Sequence, residues 1–133
     1  CWDETRHSLF GQAALAAEGI RLEQLPSWVG YAQHTLPVSP QKRYAHLAIA
    51  TEAGLMRHPG GKRGEWEWCK AQANHPLATT FQDFDWADEV THVGFGRQWL
   101  IRYFCQGDRT RAQTMADETV VERQAYYRQF AKE

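Results

Sequence analysis

Two stretches of this chain carry one pattern: Asp3-Glu4-Thr5-Arg6-His7 and Asp88-Glu89-Val90-Thr91-His92, each Asp-Glu-x-x-His. Residues three apart share a face of a helix, so each copy aims a carboxylate and an imidazole at one point. Two such helices facing each other gather two glutamates and two histidines round a shared cavity. That is the side-chain inventory of a carboxylate-bridged dinuclear metal site in a four-helix bundle. A single Glu-x-x-His arises often by chance. Two copies, each with the preceding Asp and an apolar helical context, constrain the fold far more.

The rest of the chain reads as helix too. Residues 2–18 hold good helix formers, and Gly19 sits where a C-terminal cap belongs. Residues 20–39, with Pro26, Gly30 and Pro37, form a long connection with a short amphipathic piece around Leu22 to Tyr31. Ser39 as N-cap and Pro40 at the first position open a helix to about Arg57, broken by His58-Pro59-Gly60-Gly61. A short helix over Glu65 to Ala73 ends at the break Asn74-His75-Pro76. Thr79 or Thr80 caps a long helix ending near Gly107, with an inward stripe of Phe81, Val93, Leu100 and Tyr103. Asp108 caps a last helix from Arg109 to about Lys132. No useful β-type alternation occurs, so the expected class is all-α, in one domain of 133 residues.

Composition removes some function classes. Fifteen basic and sixteen acidic residues nearly cancel, so nothing points to nucleic acid or to an acidic tail. The apolar runs are too short for a membrane span. Cys1, Cys69 and Cys105 are odd in number and widely spaced. They read as free thiols in a reducing compartment, the cytoplasm, and not as a zinc site. The chain opens on Cys1 with no initiator methionine, and the first motif falls in a helix's first turn. A C-terminal fragment of a longer chain, whose helix continues upstream, is the expectation.

The motifs' chemistry suits iron or manganese, which take carboxylate oxygen and imidazole nitrogen. In this reading Glu4 and Glu89 bridge two metals, and His7 and His92 are terminal ligands. Glu52, the one acid in Ala48-Ile49-Ala50-Thr51-Glu52-Ala53-Gly54, is the ligand expected from an intervening helix, its small neighbours leaving room for metals and a diatomic. Asp3 and Asp88 point about 100° away from the glutamates and are placed to accept a hydrogen bond from a ligand histidine on a neighbouring helix. Asp85, one turn before Glu89, reads as a supporting or substrate-facing residue. Tyr44 and Tyr103 read as core aromatics, and His34, His46, His58 and His75 as ordinary. Asp117-Glu118-Thr119, with Val121 where a histidine would stand, reads as helix surface, and Trp66 and Trp68 as packing or an interface.

From Trp2 to about Phe104 the chain resembles the ferritin-like superfamily of di-iron carboxylate proteins. Trp2-Asp3-Glu4-Thr5-Arg6-His7 and Ala87-Asp88-Glu89-Val90-Thr91-His92-Val93-Gly94-Phe95-Gly96 are most similar to its 455 family of domains of unknown function. The resemblance implies six ligands from four helices: Glu, Glu-x-x-His, Glu, Glu-x-x-His. Glu4, His7, Glu89 and His92 match by motif and Glu52 by position, while the first-helix Glu has no counterpart. The implied fold is a ferritin-like four-helix bundle lacking its first helix, plus a C-terminal helix, with the missing helix supplied upstream or by a second chain.

The expected function is that of a non-haem di-iron (or mixed Mn/Fe) oxidoreductase reacting with dioxygen and a small organic substrate. Ser8, Gly11 and Gly96 are small residues that could open the substrate pocket. A ferroxidase using the same ligands, and a metal-free helical interaction scaffold, are the alternatives.

Overall fold

Several helices of the chain begin or end at residues whose backbone chemistry caps them. In a computed structural model describing residues 2–26, 29–73 and 75–130, without the side chains of Tyr31 and Ala73, six helical stretches follow one another. They are α1 (Trp2–Ala17), α2 (Gly30–Thr35), α3 (40–57), α4 (62–73), α5 (76–104) and α6 (Arg109–Tyr127), with a 3₁₀ turn at Leu22–Gln24. No strand occurs among the described residues, so the all-helical class holds. No helix among them is long and apolar enough to cross a membrane. Cys1 and Asn74 of the second break lie outside the described residues; the last helix ends at Tyr127, short of the expected Lys132, with turns at 128–130.

The caps explain these limits. Gly19, at φ +73°, ends α1 in a Schellman motif: its N–H donates to Ala16 O at 3.0 Å, and that of Ile20 to Leu15 O at 2.9 Å. Ser39 Oγ accepts the Lys42 N–H at 3.3 Å, with Pro40 beginning α3. Asp108 accepts the Arg111 N–H at 2.9 Å to start α6. Two starts differ from those expected. The long helix starts at Pro76 instead of Thr79 or Thr80, because His75 Nδ1 accepts the Ala78 N–H at 3.2 Å and serves as the cap. The short helix starts at Lys62 instead of Glu65. The chain turns tightly at Gly61, where an added Cβ would collide with the Leu55 carbonyl oxygen.

Three helices contain wide, π-type turns: His46–Glu52 in α3, Cys69–Ala73 in α4 and Gly96–Phe104 in α5. A π turn bonds i to i+5 and rotates each side chain less round the axis. Beyond Gly96 the α-helical stripe therefore loses phase. Leu100 is fully buried, but Tyr103 is 68% exposed, correcting its assignment to the core.

The chain divides into two compact units, Cys1–Ser27 with Leu55–Val90, and Trp28–Gly54 with Thr91–Glu133. The second unit holds an apolar core of Ala45, Ile49, Leu100, Cys105, Ala112 and Ala116, with Tyr44, Ala50, Ile101 and Met115 packed on it. Small side chains let its helices approach closely. A Cβ on Gly96 would stand 2.7 Å from that of Ala48, so Gly96 is a packing contact and not the pocket opener its size suggested.

The first unit has little apolar core and leans on aromatic contacts instead. Phe10 of α1 meets Phe81 and Phe84 of α5 at ring distances of 5.9 and 5.7 Å. Trp66 of α4 packs edge-on to Trp86 at 6.1 Å and donates its indole N–H to Asp83 at 2.6 Å. Trp68 is 60% exposed.

Candidate metal centre

In the first unit, α1 presents His7 to a group of acids on α5. The His7 Nε2 atom lies 2.9 Å from Asp88 Oδ2, and Nδ1 lies 3.5 Å from both Asp85 Oδ1 and Glu4 Oε2. A donor atom from each of His7, Asp85 and Glu89 falls within 4.8 Å of the others. Asp85 and Glu89 are buried, and the His7 side chain keeps 12% of its exposure. Phe81 lies edge-on to the imidazole at 5.6 Å and shields one side of it.

The network assigns the tautomer of His7. Donation of its Nε2–H to Asp88 leaves the Nδ1 lone pair directed toward Asp85, the arrangement by which a carboxylate orients a metal-ligating histidine. Asp88 also accepts from the Arg6 guanidinium. Burial pushes the Asp88 carboxyl up, but the hydrogen bonds from Arg6 and His7, with the Arg6 charge, outweigh it and leave it below its ordinary value. One imidazole and two buried carboxylates form a donor set that iron, manganese or zinc takes readily, and buried carboxylates need a cation or hydrogen-bond donors.

The second unit holds another carboxylate–imidazole pair. His92 Nδ1 of α5 lies 3.4 Å from Glu52 Oε1, where Glu52 closes the wide turn of α3. Glu52 is buried, and its charge, second to burial itself, raises the pKa of the Tyr44 phenol.

The anticipated residues thus fall in place unevenly. His7, Asp85, Asp88 and Glu89 converge in the first unit, and Glu52 with His92 in the second. Asp85 stands among the donor atoms themselves. Glu4 touches His7 but keeps 63% of its side-chain exposure, more open than an apolar ligand face implies. Asp3 lies 3.5 Å from the Arg6 guanidinium.

Two residues bear on the His7 site without having stood out in the sequence, and a third, His46, forms a buried polar contact elsewhere. Arg6 lies inside the first motif copy, where its charge meets Asp88. Lys62 donates to Asp85, and nothing local in the sequence relates the two. His46, read as ordinary, is buried, with Nδ1 2.9 Å from Thr119 Oγ1. Thr119 itself donates to Ala116 O at 2.7 Å, so the histidine is the donor to Thr119. The clue to His46 was its spacing, three residues before Ile49 and six before Glu52.

Comparison with protein-family models, with curated proteins and with solved structures returns no match for this chain.

Proposed function

We propose that the protein is a dinuclear non-haem metal protein of the ferritin-like kind, holding two iron ions or a manganese and an iron. In this reading it uses dioxygen to oxidise or hydroxylate a small organic substrate. The observation that carries the reading is the meeting of the two motif copies: His7 of the first donates to Asp88 of the second, with Asp85 and Glu89 beside the ring. The candidate ligands are Glu4, His7 and Glu89 within the first unit and Glu52 and His92 within the second. Bound iron would supply the electrons that reduce dioxygen.

The chain's own residues provide the setting. Asp88 fixes the ring of His7. Phe81 keeps water from one side of that ring. Gly11, one turn beyond His7 on α1, is exposed, and an added Cβ there meets nothing within 4 Å, so its small size opens no enclosed pocket.

Elemental analysis of the purified protein and dioxygen uptake after Fe(II) loading test the reading. About two Fe or Mn per chain, with uptake that falls on His7→Ala or His92→Ala, are the expected results. No bound metal and no uptake would leave a metal-free helical scaffold. Uptake without organic turnover, in a closed multisubunit shell seen by size exclusion, would point to a ferroxidase.

A further inference from the structure

Lys62 is the first residue of α4, directly after the tight turn at Gly61. Its ammonium is hydrogen-bonded to Asp85 and lies 4.0 Å from Glu89 Oε1 and 3.8 Å from Glu65 Oε2. The lysine side chain is only 12% exposed, and Asp85 is nearly sealed from water. Burial pushes this ammonium's pKa down, yet the bond to Asp85 and the charges of Asp85, Glu89 and Glu65 hold it above its ordinary value. A cation therefore already rests on two of the carboxylates that, with His7, would hold a metal.

We propose that His7, Asp85 and Glu89 form a site for a divalent first-row metal ion within the first unit, with Asp85 a direct ligand, and that the Lys62 ammonium holds these carboxylates until the metal displaces it. The proposal rests on the metal reading above and adds a ligand and a competitor to it. Three features support it. The donor set is one imidazole and two carboxylates, suited to Mn(II) and Fe(II). The imidazole has its far nitrogen committed to Asp88, so the near one faces the carboxylates. The internal cation marks the spot where positive charge is stabilised.

A dication and an ammonium cannot share the same oxygens. At separations near 4 Å their repulsion in a half-buried setting far exceeds what water would allow. The lysine head must therefore leave, and its flexible four-carbon stem permits that. In the metal-free protein Lys62 offsets the buried charge of Asp85 and Glu89; in the metal-bound protein it is released toward solvent.

Mn(II) binding followed by electron paramagnetic resonance tests this in the wild type, Lys62→Gln and Asp85→Asn. Lys62→Gln is expected to bind Mn(II) at least about tenfold more tightly, since it removes the competitor, and Asp85→Asn at least about tenfold more weakly. Lysine acylation of the wild type, read by mass spectrometry, supplies a measurement that needs no variant. Modification of Lys62 should rise several-fold on Mn(II) saturation. Wild-type binding that neither substitution alters, with Lys62 acylated equally slowly with and without metal, would overturn this proposal and leave a metal site on other residues standing. No Mn(II) binding by the wild type or by Lys62→Gln would overturn both. Should Lys62→Gln fail to fold, the acylation result alone decides.

Discussion

His46 should make this protein acid-labile by a predictable amount. The imidazole is buried and donates Nδ1–H to Thr119. Burial first, and then the positive fields of Arg123 and His34, push its pKa from an ordinary 6.5 to about 4. The folded chain keeps the ring neutral, whereas the unfolded chain takes up a proton below pH 6.5. Stability is therefore whole above about pH 6.5 and falls as the pH drops, until the folded form also protonates near pH 4. At about 1.4 kcal/mol per pH decade, the loss over that window is about 3 kcal/mol. That is a large share of the ~5–15 kcal/mol of a typical domain. Carboxylates titrate over the same range, so the quantity to measure is a difference. Urea melts of wild type and His46→Gln between pH 7 and pH 4.5 isolate it, because the variant has no ring to protonate. The wild type should lose about 2–3 kcal/mol more than the variant. Equal losses, or a His46 ring titrating near 6.5 by NMR in the folded protein, would refute the argument.

Two further outcomes follow from the packing and the candidate centre. Gly96→Ala places a methyl 2.7 Å from Ala48 Cβ, so it should cost about 1–3 kcal/mol by overpacking, read as a lowered urea midpoint with an unchanged slope. Asp88→Asn removes the charge that orients His7 and pairs with Arg6. It should weaken Mn(II) binding by about 10–100-fold, measured by titration against a chromophoric chelator.

Local chemistry carried most of what could be read before the structure. Gly19, Ser39 and Asp108 act through their own backbone neighbours, within five residues, so their caps were visible in the order of the residues. The all-helical class followed from the same short-range pattern. His75 was harder, because its ring replaces the usual Ser, Thr, Asp or Asn as a cap. Tyr103 was misplaced because an inserted wide turn alters the angle between successive side chains, and no composition signals that turn. Lys62 and His46 matter through partners 23 and 73 residues away, Asp85 and Thr119. Such contacts depend on how helices lie together, which periodicity within one helix does not encode. The duplicated motif marked the residues that gather around His7, but not that Asp85 would stand among the donors or that a lysine would cover them.

The wide turns of α3, α4 and α5 have a consequence for how this chain can change over time. Each such turn carries a residue beyond what an α-helical ladder needs. Removing a single residue within Gly96–Phe104 would let the backbone close into ordinary α-turns without opening a loop. The same deletion in the uninterrupted helix α6 would also turn every later side chain by about 100°, but with no spare residue there to absorb it. Lineages related to this one should therefore differ by single-residue gaps at 46–52, 69–73 and 96–104, with helix length otherwise kept, and those gaps would re-aim the side chains that follow them. Small insertions and deletions at these places are thus a route to reshaping the surface beyond a helix while its hydrogen-bonded frame persists.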